Sequence, residues 1–188
     1  IYAVCGDATG HGTSAGMVVS VTKSALNGLP FISTSYVLEN INNIIKKIKL
    51  GSLRMSLNIC KIEKSKITMS SAAMPPIYHY VAKSNKCKEI AIQGLPLGGL
   101  KNEKYDSVTK KVELNDVFIL LSDGLPEAEN YDKEIYDYER VKKFIEKNGK
   151  KSATEIKDLM LKEVDIWLDG LLPDDDVTIV VIKRNNIK

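Results

Sequence analysis

Three aspartates in this chain stand where an apolar, strand-like run meets a loop, each beside glycine or another acid. Asp7 lies in the stretch CGDATGHGTSAG, straight after Ile1 to Cys5. Asp123 follows the apolar run Phe118 to Leu121 and precedes Gly124, and Asp175 is the middle of Asp174-Asp175-Asp176, ahead of Val177 to Ile182. Carboxylate oxygens are hard donors suited to Mg²⁺ and Mn²⁺, and a divalent cation removes the repulsion that neighbouring acids exert on one another. Asp7, Asp123 and Asp175 together have the chemistry to hold two such ions. Plainer readings stand beside this one. Asp123-Gly124 is a hairpin signal, although Pro126 cannot donate to a strand ladder and suits a helix start better. The run of three acids also fits a solvated loop.

The glycines around Asp7 narrow the choice. Gly6, Gly10 and Gly12 would let the backbone turn sharply and present the Asp7 carboxylate together with the Ala8 carbonyl. A glycine-rich turn from strand to helix is also how a phosphate-binding loop is built. That loop needs Lys and then Ser or Thr after its last glycine, and Thr13-Ser14 stands there instead.

The elements that position these residues follow from hydrophobic period. Ala15, Met17, Val18, Val21 and Ala25 give a helical face from near Thr13 to the stop signal Asn27-Gly28. Ser33 or Ser35 caps a second helix, in which Val37, Leu38, Ile41, Ile44, Ile45 and Ile48 recur until Gly51. From Leu53 the period becomes two, predicting a strand to Cys60, a turn at Glu63 to Lys66 and a returning strand from Ile67 to Ala72. Further strands are expected at Ile77 to Val81, Glu89 to Ile92, Ser107 to Leu114 and Val117 to Leu121, with helices at Tyr138 to Lys147 and Ala153 to Leu168 and a buried strand at Val177 to Ile182. Helix pair, strand run, helix pair, strand implies sheets with helices outside them.

Composition excludes other classes. With 44% hydrophobic and 27% charged residues the 188-residue chain reads as globular, and no apolar run approaches the roughly 20 residues of a membrane span. The net charge of +3 is scattered as single lysines and short pairs, which argues against nucleic-acid binding. Cys5, Cys60 and Cys87 are odd in number and lack metal-type spacing, which fits a reducing, cytoplasmic compartment. Residue 1 is Ile in mid-strand, so the chain reads as a piece of a longer polypeptide.

Taken in order, GDATGHGTSAG, LSDGLPEAEN and DDVTIVVI resemble the motif set of the metal-dependent PP2C-type protein phosphatases, in the bacterial branch of SpoIIE and RsbU type. SSAAMPPIYHY resembles that branch's Asn-Ala-Gly-His-Pro-Pro segment, and GLPLGGL its Gly-Pro-Pro-Leu-Gly segment, so the likeness covers nearly the whole chain as one domain, 1–188. The resemblance implies an α+β fold, an α-β-β-α sandwich of mainly antiparallel sheets flanked by helices, with two Mn²⁺ or Mg²⁺ ions at one end. It implies that Asp7 bridges both ions, that the Ala8 carbonyl ligates one, and that Asp123 and Asp175 hold the other. Asp176 and Gly124 stand beside those ligands as support. It further implies a serine/threonine phosphatase that is the output domain of a sensor protein, acting on a phosphorylated partner with a STAS-type fold, an anti-anti-sigma factor. The helix pair from Thr13 to Lys49 adjoins the Asp7 loop, so an upstream sensor in the same polypeptide is expected to act by moving it.

This sequence departs from the family pattern in places. The family's upstream acidic strand segment precedes Ile1, so the domain is read as lacking its N-terminal strand or strands. At Ser71-Ala72-Ala73-Met74 the family's Asn, Gly and His are absent. His11 is offset from the histidine of eukaryotic relatives and is read as packing the loop, and His79, between Tyr78 and Tyr80, as sheet surface. The rival reading is an inactive PP2C-like domain that works by binding partners, and the presence of all three aspartates favours the enzyme.

Overall fold

The computed structural model describes residues 1–185. In chain order its elements are β1 (Tyr2–Ala8), α1 (Gly12–Gly28), α2 (Thr34–Ile48), β2 (Met55–Ile62), β3 (Lys66–Ala72), β4 (Ile77–Val81), β5 (Lys86–Ile90), β6 (Val108–Lys111), β7 (Val117–Leu121), α3 (Tyr138–Asn148), α4 (Ala153–Leu168) and β8 (Ile179–Lys183). They form two four-stranded antiparallel sheets, ordered β1-β2-β3-β6 and β5-β4-β7-β8. The class is the expected α+β one, with antiparallel sheets and two pairs of helices. No helix among the described residues is long and apolar enough to cross a membrane.

The chain divides into two units, one of Ile1–Met74 with Ile92–Lys111, the other of Pro75–Ala91 with the rest from Val112. In the first, Ser33 accepts from the Tyr36 N–H and starts α2, whose buried Val37, Leu38, Ile41 and Ile45 share a core with Val18 and Ala25 of α1 and with Met55, Leu57 and Ile59 of β2. Burying each large aliphatic side chain contributes roughly 1.5–3 kcal/mol. Asn42 pins the Gly-Leu-Pro-Leu-Gly-Gly loop onto α2, accepting from the Gly98 N–H and donating to the Leu100 carbonyl, both at 2.8 Å.

In the second unit β7 is buried at all five positions and lies between β4 and β8. Tyr78, Tyr80, Ile119 and Leu121 meet Val141, Phe144 and Ile145 of α3 and Ile156, Met160 and Val164 of α4. Asp137 caps α3, and Ser152 with Glu155 forms a reciprocal capping box on α4.

Several elements differ from expectation, each for a local reason. β5 begins at Lys86 because the turn ending at Asn85, with φ of 54°, opens straight into pairing with Val81. It stops at Ile90 opposite Ile77, where Pro75-Pro76 cannot extend the ladder. β6 is confined to Val108–Lys111 because β3 begins at Lys66, opposite Lys111, and Glu113 donates its N–H to the Asp116 carboxylate instead. β8 is an edge strand, so it is half-buried rather than buried, with Ile179 and Val181 packed on the core. His79 is not sheet surface: it is 8% exposed, stacked on Phe118 at 4.2 Å, with Nε2 3.1 Å from the Asp116 carboxylate. That partner satisfies the imidazole tip and makes its burial tolerable.

Candidate metal centre

In the first unit the strand does not stop short of Asp7. β1 stays paired through Ala8, with Asp7 opposite Ser56 and Ala8 opposite Met55. Thr9 continues the link, donating its N–H to the Arg54 carbonyl at 3.1 Å while its hydroxyl accepts from the Arg54 N–H at 2.8 Å. Met55 and Leu97 exchange two backbone hydrogen bonds, which anchors the loop after Gly94 beside the same rung. The half-buried Asp7 is therefore fixed by a sheet ladder.

This corrects the role expected of Gly6. It lies inside β1, and a Cβ there would fall 2.5 Å from a Leu57 methyl carbon and 2.8 Å from the Ser56 carbonyl oxygen. Gly6 permits a close approach of strands and makes no turn. The turn belongs to Gly10 and to Gly12, with φ of +86° and +69°, the latter being the first residue of α1. His11 does not pack the loop: it is exposed as the residue preceding α1, and its side chain makes no capping bond. The Cys5 thiol is pushed up to about 12, chiefly by burial and then by the Asp7 charge, so this neighbour stays a neutral thiol.

In the second unit Asp123 and Asp175 come together from segments far apart in sequence. A carboxylate oxygen of each lies within 4.8 Å of the other. Ser122, which the sequence reading passed over, makes this possible. Its hydroxyl is buried, donates to the Asp176 carbonyl at 2.8 Å and accepts from the Thr178 N–H at 2.9 Å, while its own N–H donates to the Thr178 carbonyl at 3.1 Å. β7 and the strand-leading acidic loop are thus stitched together one residue before Asp123.

Gly124 completes the approach from the other side. A Cβ there would sit 2.6 Å from the Asp176 carbonyl oxygen and 3.0 Å from that of Asp175, so only glycine lets the two backbones lie this close. Asp175 is oriented by the Asp176 N–H, which donates to its Oδ1 at 2.7 Å. Asp176 therefore contributes its backbone to the arrangement. Beyond Asp123 the chain turns back through a Glu127 N–H to Asp123 carbonyl bond of 2.9 Å, and no returning hairpin strand follows.

Neither Asp123 nor Asp175 has an ion-pair partner among the described residues. Two carboxylates this close without a compensating cation repel each other, and a hard divalent ion is the chemistry that relieves it. The donor set fits Mn²⁺ or Mg²⁺. The nearby Tyr138 phenol is held protonated above its ordinary range, first by burial and then by the charges of Glu127 and Asp123.

A family model described as stage II sporulation protein E (SpoIIE) matches residues 1–185. The chain belongs to the SpoIIE family. This is a bacterial PP2C-type serine/threonine phosphatase family, and the SpoIIE/RsbU branch within it agrees with the motifs. The phosphoserine phosphatase RsbU of Bacillus subtilis is 28% identical over 186 residues, covering 95% of this chain and 54% of that protein. The chain thus spans about half the length of that relative. The SiaA-PP2C domain of Pseudomonas aeruginosa matches with a TM-score of 0.81 at 14% identity, over 99% of this chain and 79% of that one. The PP2C phosphatase domain of SpoIIE from Bacillus subtilis, with a fragment of its regulatory domain, matches with a TM-score of 0.72 at 20% identity, over 97% of this chain and 54% of that one. These structural likenesses show the shared fold.

Within the SpoIIE family pattern one position carries a conformational mark. Ala73, where the family has glycine, takes φ of 56°, a left-handed backbone that an L side chain resists.

Proposed function

We propose that this chain is the phosphatase part of a bacterial signalling protein, hydrolysing phosphoserine or phosphothreonine on a partner protein. The observation that carries the reading is the uncompensated Asp123–Asp175 pair, held by Ser122 and Gly124 in a SpoIIE-family chain. Asp7, with the Ala8 carbonyl beside it, is the proposed third carboxylate, and these groups together with Asp123 and Asp175 would hold the two ions. Two Mn²⁺ or Mg²⁺ ions supply, when bound, an acidified shared water and neutralisation of charge developing at phosphorus. The protein's part is positional. The β1 ladder holds Asp7 and Ala8 at a fixed height, and the Ser122 bridge holds Asp175 against Asp123 before any cation arrives. No side-chain nucleophile is needed, and the protonated Cys5 thiol does not offer one.

The proposed domain is residues 1–188, working as the output of an upstream sensor in a cytoplasmic protein. The RsbU relative, a phosphoserine phosphatase by name, supports phosphoserine as substrate, and a STAS-type anti-anti-sigma factor is the proposed partner. Regulation through α1 is consistent with its start two residues after Gly10, on the same stretch that bears Asp7. Hydrolysis of a phenyl phosphate in Mn²⁺ tests the reading. Turnover that falls by a factor on the order of 100 or more in Asp123→Asn, with an unchanged melting profile, is the expected result. No turnover in the full-length wild-type protein favours the partner-binding module instead.

A further inference from the structure

Away from the acidic centre, α3 and α4 enclose a cleft of about 340 Å³. Its wall along α3 carries Arg140, Lys143 and Lys147, and its α4 wall carries Glu163, the 67% exposed Ile166 and Trp167. The indole is immobilised on three sides. Its Nε1–H donates to the Ala128 carbonyl at 3.0 Å, the Tyr136 ring meets it edge-on at 5.6 Å, and the Arg140 guanidinium lies 4.5 Å over its face. Arg140 also faces Asp137 at 4.0 Å. Lys143 and Lys147 are exposed and have no ion-pair partner among the described residues.

We propose that this α3–α4 cleft docks an acidic peptide segment of a partner protein, with carboxylates on the Lys143–Lys147 ridge and an apolar side chain against Ile166 and Trp167. Charge and spacing choose this occupant. Three cations face one carboxylate across the cleft, and from Arg140 to Lys147 the ridge runs roughly 10 Å along the helix at about 1.5 Å per residue. That length exceeds one phosphate and matches acids spaced along a peptide. The rigid, half-exposed Trp167 beside an exposed aliphatic is the composition of an anchoring pocket. A nucleic acid fits less well, because Arg140 already covers the indole face that a base would stack on, and Glu163 would meet its phosphates.

Trp167 is the chain's single tryptophan, so its emission reports on the cleft directly. The complete chain is titrated with a synthetic peptide repeating Glu-Leu-Leu-Glu, with the same peptide carrying Gln for Glu, and with oligothymidylate. The expected result is a saturable emission change with the Glu peptide, weakened by high salt, and at least about tenfold weaker with the Gln peptide. The double variant Lys143→Glu, Lys147→Glu should lose the Glu peptide to a similar degree. The variant with Arg at both positions should keep it, and hydrolysis of phenyl phosphate should be unchanged in both. Equal binding of the Glu and Gln peptides, unimpaired binding by the charge-reversed variant, or preference for oligothymidylate each overturns the proposal. The peptide comparison on the unmodified chain decides the matter even if the charge-reversed variant misfolds.

Discussion

Replacing Ser122 by alanine tests whether the acidic centre is preassembled by the protein. The hydroxyl makes two hydrogen bonds, of 2.8 Å to the Asp176 carbonyl and 2.9 Å from the Thr178 N–H. The Asp176 carbonyl exchanges this donor for another, while the half-buried Thr178 N–H is left without its acceptor. One orphaned, partly buried donor plus one exchanged bond amounts to about 2 kcal/mol. For a chain of this length that is a fall of roughly 4–8 °C in melting temperature. The local effect is the sharper readout. If about 1 kcal/mol of the loss falls on the orientation of Asp175, half-maximal activity requires about fivefold more Mn²⁺. Melting curves without metal, with phenyl phosphate turnover measured against Mn²⁺ concentration, separate the two effects, and Ser122→Thr should restore both. A melting temperature within about 1 °C of the wild type, together with an unchanged Mn²⁺ requirement, would refute the reasoning.

Two other outcomes follow from the backbone and the core. Ala73→Gly relieves the left-handed strain at φ of 56° and should stabilise the chain by about 0.5–1 kcal/mol, read as a higher urea midpoint; a lower midpoint would show that the glycine's added chain freedom dominates. Burial raises the Cys5, Cys60 and Cys87 thiols from an ordinary 9.0 to about 12. Their folded values lie above their unfolded ones, so the stability they confer is complete below pH 9.0 and is lost as pH rises from there towards about 12. Urea midpoints should decline across that window, and Ellman's reagent should find no reactive thiol in the native chain near pH ~8. Prompt labelling under those conditions would contradict the burial argument.

The sequence disclosed what local chemistry determines and concealed what depends on distant partners. Helical period and the Ser33 cap placed α2, and the acids at the ends of β7 and ahead of β8 were visible as acids beside apolar runs. Gly6 was misjudged because glycine beside an aspartate signals a turn, whereas the crowding that demands it comes from Met55 and Leu57 on another strand. Ser122 was invisible for the same reason, its partners being Asp176 and Thr178. His79 sat among tyrosines with nothing nearby in sequence to indicate that Asp116 would receive its ring. The α3–α4 cleft also escaped notice, since lysines at helical spacing look like a solvated face until a second helix bearing Trp167 lies beside them.

The first unit leaves off at Met74 and resumes at Ile92, so it is not one continuous stretch of polypeptide. During synthesis, β4 and β5 emerge before β6 has been made, and β3 has no neighbour on its outer side until residues 108–111 appear. β4 waits in turn for β7, leaving Ile77, Tyr78 and Tyr80 uncovered on the ribosome in the meantime. The first unit is therefore complete in sequence once Lys111 has been made, while the second still lacks β7, α3, α4 and β8. A cut made anywhere between Pro75 and Ala91 yields no fragment holding a whole unit, so split-protein complementation would require both pieces to fold at once.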